Sequence, residues 1–275
     1  MGNDAFSTET VTSSDGTTIG YRRHGNGMPL TIVHGSISTG EQWEPFAQAT
    51  ADRLQTFAMD RRGRATSIDD GTGYGLDAEA ADIAAVLAAA GPDAAVLGHS
   101  FGGVATLHAL VTGQLTPRAL VLYEPPVPVD GPVVGDQLDE YARLVEAGDH
   151  DGALTHALAH FVRVSDEEIE GLRQTPLWAG LAALTPTWTR ELAQIDGTVD
   201  ELAAMARIEL PTLLLVGAGS PGHLVSASEH LARTMPNATL HRLQAPGHFA
   251  HVIAPGEVGG VVAEFLAGAA DLTTR

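Results

Sequence analysis

A serine between glycines is the feature of this sequence that points most directly to chemistry. It lies in the run Gly98-His99-Ser100-Phe101-Gly102. The apolar residues 94–97 before it predict a buried strand, and residues 101–113 predict a helix. A sharp strand-to-helix turn exposes a serine hydroxyl in strained backbone geometry, and it needs glycines because side chains there would collide with neighbouring backbone. The context predicts that Ser100 is a nucleophile for acyl transfer, although the short pattern alone also arises by chance in a chain with 31 glycines.

The composition narrows the choice of nucleophile. The 275 residues include no cysteine, and every basic residue is arginine. These absences exclude thiolate nucleophiles, disulfides, cysteine-bound metals and Schiff-base lysines. Serine, threonine, aspartate and glutamate remain as candidates.

The net charge of the chain limits the kinds of partner that it can bind. Fifteen basic residues stand against 34 acidic ones, a formal net charge of −19. The resulting field repels phosphates, nucleic acid and anionic membranes, so we expect a small-molecule substrate, no nucleic-acid partner and no membrane association. The first residues lack the pattern of a secretory signal, and no apolar stretch is long enough to span a membrane, which favours a cytoplasmic protein. The oligomeric state is not predicted.

A histidine late in the chain is the candidate base. Residues 239–243 predict the last strand, and residues 244–248 predict the loop that follows it. His248 comes directly after Pro-Gly and so lies on the turn itself, whereas the alternative, His251, falls in the next predicted helix. We therefore expect His248 to accept the proton of Ser100.

Two backbone amides could stabilise the negative oxygen formed when Ser100 attacks a carbonyl. The N–H of Phe101 opens the predicted helix after the nucleophile, where the helix dipole favours negative charge. The N–H of Ser36 follows an apolar strand and His34-Gly35, a run that can also be an ordinary turn. We further expect Trp178 and Trp188 to line an apolar substrate pocket, although such aromatic residues equally pack in a core.

Apolar runs alternate with helical stretches along most of the chain. The predicted strands cover residues 30–33, 56–59, 94–97, 120–123 and 213–216, and the helices cover residues 76–90, 101–113, 225–235 and 257–267. Residues 8–24 predict a hairpin around the turn Ser14-Asp15-Gly16. Alternation of this kind predicts an α/β fold with a doubly wound, mostly parallel sheet.

The alternation lapses between Pro125 and Leu210, where the sequence predicts helices only. We interpret residues 128–208 as a helical cap or lid, inserted into an α/β core formed by residues 1–127 and 209–275. Such an insertion could simply enlarge the core. Its position above the carboxyl ends of the strands, where ligands bind in such sheets, favours a lid.

Four motifs occur in an order that resembles the α/β-hydrolase superfamily. They are His34-Gly35, Asp60-Arg61-Arg62-Gly63, Gly98-His99-Ser100-Phe101-Gly102-Gly103 and Gly247-His248. The resemblance covers nearly the whole chain and implies an eight-stranded sheet, a serine nucleophile, a histidine base, an acid that orients the histidine and an oxyanion hole of two amides. Serine at position 100, rather than aspartate, disfavours the alkyl chemistry of the superfamily's dehalogenases and epoxide hydrolases.

The acid departs from the commoner pattern of that superfamily, which places it after the strand at residues 213–216. The loop there, residues 218–223, holds no carboxylate. Some members place the acid after the strand that follows the nucleophile helix, and in this sequence that strand ends at Glu124. We therefore expect Glu124 to orient His248. A turn-capping role for Glu124, and a Ser-His dyad without an acid, are the alternatives.

The residues together predict a hydrolase that acts on an ester, thioester or lactone of a neutral or hydrophobic small molecule. Ser100, His248 and Glu124 would act through an acyl-enzyme, with no cofactor and no metal. His156 and His160 have the spacing of a metal pair on a helix but lack a third ligand, so we interpret them as surface or lid residues. The alternatives are a cofactor-free lyase, cyclase, perhydrolase or carbon–carbon bond hydrolase on the same fold, or a binding protein without turnover.

Overall fold

The computed structural model describes residues 6–69 and 73–272, and the outer limits of the predicted core at residues 1 and 275 lie outside them. Eight strands form one sheet in the order β1-β2-β4-β3-β5-β6-β7-β8. They are β1 (Ser7–Thr12), β2 (Thr18–His24), β3 (Met28–Val33), β4 (Leu54–Met59), β5 (Ala95–His99), β6 (Leu120–Tyr123), β7 (Thr212–Ala218) and β8 (Ala238–Pro246). The pairs β1–β2 and β2–β4 are antiparallel and all others are parallel, which confirms the predicted doubly wound sheet and its amino-terminal hairpin.

Helices cover both faces of the sheet and fill the segment between β6 and β7. They are α1 (Glu44–Thr50), α2 (Leu76–Ala90), α3 (Phe101–Val111), α4 (Gln137–Glu146), α5 (His150–Ala157), α6 (Asp166–Arg173), α7 (Leu177–Ala183), α8 (Thr185–Ile195), α9 (Leu202–Met205), α10 (Gly222–Thr234), α11 (Ala250–Ile253) and α12 (Pro255–Leu272). A π-helical turn, Leu158–Val162, continues α5, and short 3-10 turns occupy Gly40–Trp43 and Asp196–Glu201. No helix within the described ranges has the length and apolar character needed to cross a membrane.

The central strands are buried on both faces. Val96 and Leu122 belong to the apolar cluster on one side of the sheet, whereas their chain neighbours Leu97 and Val121 belong to the cluster on the other. This alternation of two apolar faces is the reason that the parallel strands read as continuous hydrophobic runs in the sequence. The first cluster continues into the helices between β6 and β7, for example through Tyr141.

The last strand is longer than its sequence pattern indicates. Residues 244–246, which we expected to lie in a loop, extend β8, because the strand stays paired with β7 as far as the pair Ala218 and Pro246. The turn that carries His248 is therefore shorter than expected and starts directly from a paired strand.

The register of the parallel strands brings two predicted site residues together. His99 at the end of β5 pairs with Tyr123 at the end of β6. The next residues along the chain are Ser100 and Glu124, which therefore emerge side by side at the carboxyl edge of the sheet. The N–H of Ser100 donates to the carbonyl of Tyr123 (2.9 Å).

Close packing of α3 on β3 predicts opposite effects for one substitution at two helical glycines. A Cβ at Gly102 would lie 2.2 Å from the carbonyl oxygen of Val33, whereas a Cβ at Gly260 in α12 would meet nothing within 4 Å. We expect Gly102→Ala to lower the free energy of unfolding by about 1–3 kcal/mol through overpacking. Gly260→Ala should raise it by about 0.5–1 kcal/mol through helix propensity. Urea unfolding of both variants measures this difference, and equal effects would contradict it.

Candidate active site

Ser100 lies on a strained turn between β5 and α3. Its backbone has φ 53° and ψ −127°, a left-handed conformation that a residue with a side chain adopts at a cost in energy. The turn is tight because its glycines have no room for side chains: a Cβ at Gly98 would lie 2.7 Å from the Cα of Gly103. The predicted strand, strained turn and helix are all present around this serine.

Gly35 brings a second loop against the serine. A Cβ on this glycine would lie 2.9 Å from the Cβ of Ser100, so only glycine permits this approach. The next residue, Ser36, lines two small cavities together with Ser100 and His248. Phe101 lines one of these cavities and is the first residue of α3, where a backbone N–H has no acceptor within the helix. The two residues predicted to donate to an oxyanion thus lie beside Ser100.

The imidazole of His248 is bound to the carboxylate of Glu124. Nδ1–H donates to Oε2 of Glu124 at 2.6 Å, and both side chains are almost fully buried. This bond assigns the proton to Nδ1 and leaves Nε2 as an acceptor. Ser100 and His248 line the same two cavities, so the structure brings the predicted nucleophile, base and acid to one place.

Glu124 is held by two further donors. Like Ser100, it has a left-handed backbone, with φ 49°. Its Oε1 accepts hydrogen bonds from the N–H of Gly217 (2.8 Å) and from the hydroxyl of Ser220. These two residues belong to the end of β7 and to the loop after it, where the superfamily more often carries the acid. Neither donor was predicted from the sequence, where the only available signal was a hydroxyl residue in a loop that lacks a carboxylate.

A layer of buried aromatic residues fixes the turn of His248. Nε2–H of His99 donates to the carbonyl of His248 (3.0 Å), and the hydroxyl of Tyr123 donates to the carbonyl of Gly247 (2.6 Å). Burial, together with the nearby imidazoles of His248 and His251, holds the pKa of His99 well below its usual value. His99 is therefore a neutral donor that supports the turn.

His251 occupies a different position from the one a base requires. It lies in α11, as its sequence position predicted, and its ring stacks on Trp43 with centroids 4.3 Å apart. It lines one of the small cavities beside Ser100, but the carboxylate of Glu124 is bound to His248 instead.

The cavities around Ser100 differ greatly in size. The two that Ser100 lines each hold about 30 Å³, room for one water molecule. One includes the side chains of His99, His251 and Gln42 in its wall, and the other includes those of Phe101, Phe161 and Leu192. His248 also lines a third cavity of about 500 Å³, between the turn of His248 and the helices that follow β6.

The two tryptophans expected to line a substrate pocket are in different environments. Trp188, on α8, lines both small cavities beside Ser100. Trp178, on α7, packs among the helices: its Nε1–H donates to Asp151 (2.6 Å), and the guanidinium of Arg173 lies 4.4 Å from its ring. Trp178 lines none of the three cavities around His248.

The described residues include no group of three or more histidine, aspartate or glutamate side chains placed to hold a metal ion. The rings of His156 and His160 do lie close, with centroids 4.4 Å apart. Nε2–H of His156 donates to the carbonyl of Gln137 (3.1 Å), which ties α5 to α4.

The chain is similar to known proteins over most of its length. The model of the alpha/beta hydrolase family matches residues 32–259. The structure superposes with a TM-score of 0.83 on an alpha/beta hydrolase from Sphaerobacter thermophilus, which is 33% identical, over 94% of this chain and 99% of that one. An esterase from a Rhodococcus species gives a TM-score of 0.75 at 25% identity, over 95% and 98% of the two chains.

Two further relatives match over shorter stretches. A non-heme haloperoxidase from Rhodococcus erythropolis is 40% identical over 95 residues, which are 34% of this chain and 35% of that protein. An N-formylmaleamate deformylase from Pseudomonas putida is 37% identical over 118 residues, 42% and 44% of the two chains. The match therefore spans less than half of the length of these relatives.

Buried neutral histidines predict that acid destabilises the fold. Burial lowers the pKa of His251 to about 3, and burial next to Arg163 lowers the pKa of His223 to about 4. In the unfolded chain these groups titrate near pH 6.5. Between about pH 6.5 and 3 the unfolded state binds more protons than the folded state, so the free energy of unfolding decreases as the pH falls through this window.

The variant His251→Phe tests this linkage, because it retains a ring on Trp43 but cannot be protonated. We expect it to lose less stability than the wild type between pH 7 and pH 5, by up to about 1.4 kcal/mol per pH unit. Urea unfolding across this range measures the slope. His241→Phe is the control because His241 is exposed. A wild-type slope in His251→Phe would contradict the assignment.

Proposed function

The chain belongs to the alpha/beta hydrolase family, and from that premise we propose that it is a serine hydrolase acting on an ester, thioester or lactone. Ser100 is the nucleophile, His248 the general base and Glu124 the acid of this proposal. The observation that carries it is the buried hydrogen bond from Nδ1 of His248 to Glu124, made beside a serine in strained backbone geometry.

The mechanism follows from the proton positions. With its proton on Nδ1, His248 takes the hydroxyl proton of Ser100 at Nε2 as the serine oxygen bonds to the substrate carbonyl carbon. Glu124 stabilises the imidazolium that results. The N–H groups of Ser36 and Phe101 stabilise the oxyanion. The imidazolium then protonates the departing oxygen or sulfur, and water hydrolyses the acyl-enzyme by the same route.

The sizes of the cavities suggest which part of the substrate lies in each of them. His248 must protonate the leaving group, so that group lies next to its imidazole, and His248 lines the cavity of about 500 Å³. Much of that wall is apolar, with Leu158, Ile169 and Leu172 from the helices after β6. Ser100 itself lines the two small cavities, so an acyl group bonded to it would lie there. We therefore favour a neutral substrate with a short acyl chain and a large apolar leaving group.

Perhydrolysis is the second candidate. One small cavity beside Ser100 has room for about one small molecule, and the side chains of Ser38, Gln42 and His99 are in its wall. A hydrogen peroxide molecule in the place of water would attack the carbonyl carbon of the acyl-enzyme, so that the ester bond to Ser100 breaks and a peracid and the free serine result. One relative is named a non-heme haloperoxidase, and this name is a specific observation that favours the alternative.

Covalent labelling tests the nucleophile and the acid together. We expect a fluorophosphonate probe to label the wild type at Ser100 and to leave Ser100→Ala unlabelled. Glu124→Gln should lower kcat for an activated aryl ester by at least about 100-fold, because the wrong imidazole tautomer is then favoured. The exposed Glu146 provides the control variant Glu146→Gln. A near-normal rate in Glu124→Gln would remove Glu124 from the triad, and an unlabelled wild type would overturn the hydrolase proposal.

Two isomeric esters test the division of the substrate. In 2-(1-naphthyl)ethyl acetate the large group leaves, and in methyl 3-(1-naphthyl)propanoate the large group is acyl. We expect kcat/KM to favour the acetate by about tenfold or more, a difference of about 1.4 kcal/mol in transition-state binding. Leu172→Trp, which narrows the large cavity, should reduce this preference while hydrolysis of methyl acetate persists. A preference for the propanoate would reverse the assignment of the cavities.

A further inference from the structure

Arg61 is a fully buried arginine that contacts both segments of chain whose amides we assign to the oxyanion hole. Its NH1 donates to the carbonyl oxygen of Gly35 (3.2 Å), and its guanidinium carbon lies 4.6 Å from the centre of the Phe101 ring. Gly35 and Phe101 come from the two loops that meet at Ser100. The guanidinium of Arg61 therefore contacts both of these segments.

The contact with Gly35 has a direct consequence for Ser36. The carbonyl of Gly35 and the N–H of Ser36 belong to the same peptide unit, and the peptide bonds of the described residues are trans. In a planar trans peptide the C=O and N–H bonds point in opposite directions. A donor that holds the Gly35 oxygen therefore aims the Ser36 N–H in the opposite direction. Ser36 lines the two small cavities that Ser100 also lines.

A second donor acts on the same oxygen. Nδ1–H of His34 donates to the carbonyl of Gly35 at 2.7 Å, and Nε2 of His34 accepts the backbone N–H of Arg61 (3.1 Å). Burial, with the positive charges of Arg61 and Arg64 nearby, holds the pKa of His34 well below its usual value. His34 is thus a neutral ring with one donor and one acceptor, and both are used.

Two carboxylates hold the guanidinium of Arg61 in place. Nε and NH2 donate to the two oxygens of Glu79 on α2 (3.0 and 2.6 Å), a bidentate pair. NH2 also lies 3.1 Å from Glu191 on α8. All three side chains are fully buried. These contacts occupy Nε and NH2, and NH1 is the nitrogen that donates to the carbonyl of Gly35.

We propose that Arg61 is the positioning residue of the oxyanion hole: its charge-assisted hydrogen bond to Gly35 orients and polarises the peptide whose N–H at Ser36 binds the oxyanion. This inference rests on the proposed serine hydrolase mechanism. Glu191 lies on α8, the helix that also carries Trp188 beside Ser100. The same guanidinium therefore links α8 to the peptide that carries the oxyanion donor.

The mechanism predicts an effect on the transition state and not on substrate binding. A hydrogen bond to an oxyanion strengthens as negative charge develops, so a misaligned donor reduces kcat more than it raises KM. Loss of a whole oxyanion donor lowers kcat by about 100- to 1000-fold, and misalignment of one donor should have a smaller effect.

The neighbouring Arg62 provides a matched control. It is also buried and forms a bidentate pair, with Asp82 (2.7 and 2.8 Å). Its guanidinium also donates to Asp15 and to the carbonyl of Ala78, and neither of these belongs to the loop of Gly35. Arg61→Lys and Arg62→Lys both retain a positive charge and both lose a planar fork. Only Arg61→Lys removes the donor that faces Gly35.

The experiment compares both variants with the wild type at a temperature at which thermal unfolding shows all three to be folded. Steady-state kinetics use 2-(1-naphthyl)ethyl acetate. The transition-state probe is methylboronic acid, which matches the acetyl group of this ester: its boron accepts the Ser100 oxygen and becomes tetrahedral and anionic while the hydroxyl proton passes to His248. For Arg61→Lys we expect kcat to fall by about 10- to 100-fold and boronate affinity to weaken in parallel, with little change in KM.

Arg62→Lys should lose thermal stability but keep kcat and boronate affinity close to those of the wild type. Equal losses of kcat in the two variants, or a loss in Arg61→Lys confined to KM, would overturn the positioning role. A wild type that neither hydrolyses the ester nor binds the boronate would instead overturn the proposed function.

Discussion

The geometry of the site depends on the buried carboxylate of Glu124. One oxygen accepts Nδ1–H of His248, and the other accepts the N–H of Gly217 and the hydroxyl of Ser220. A carboxylate removed from water requires such donors, because an unpaired buried charge costs several kcal/mol. The donors come from the ends of β7 and β8, while Glu124 itself follows β6. A single charged group therefore joins the carboxyl ends of three neighbouring strands and fixes the ring that faces Ser100.

Strand register explains why much of this arrangement could be predicted from the sequence. Ser100 and Glu124 each follow an apolar run directly, and neighbouring parallel strands end at one edge of the sheet, so their proximity follows from topology. The glycines around Ser100 are required because a side chain there would collide with neighbouring atoms, and the sequence pattern already implied this. The end of β8 was less predictable, because a strand can continue through residues such as Pro246 when its partner offers a pairing position. Local propensity does not contain that information.

The buried ion pairs behind the site were beyond sequence reasoning. Asp60-Arg61-Arg62-Gly63 indicated a structured loop, but the carboxylates that bind Arg61 come from residues 18 and 130 positions further along the chain. Such pairs depend on how α2 and α8 pack, not on periodicity. For the same reason the sequence could not distinguish Trp188 from Trp178. Both have a pattern typical of a helical core, and the packing of α8 against α3 is what places Trp188 beside Ser100.

In the proposed triad the acid follows β6, and this changes the role of the loop after β7. With Glu124 one strand from Ser100, the spacing between the proposed nucleophile and acid depends on a single hydrogen-bonded register. The loop after β7 then supplies donors and not the carboxylate itself. Its residues Gly219 and Pro221 line the large cavity, while Ser220 between them binds Glu124. Because these three residues are consecutive, a leaving group that displaced Gly219 or Pro221 would also move a donor to Glu124. In the proposed enzyme, substrate fit and the orientation of His248 would thereby be coupled through one short loop.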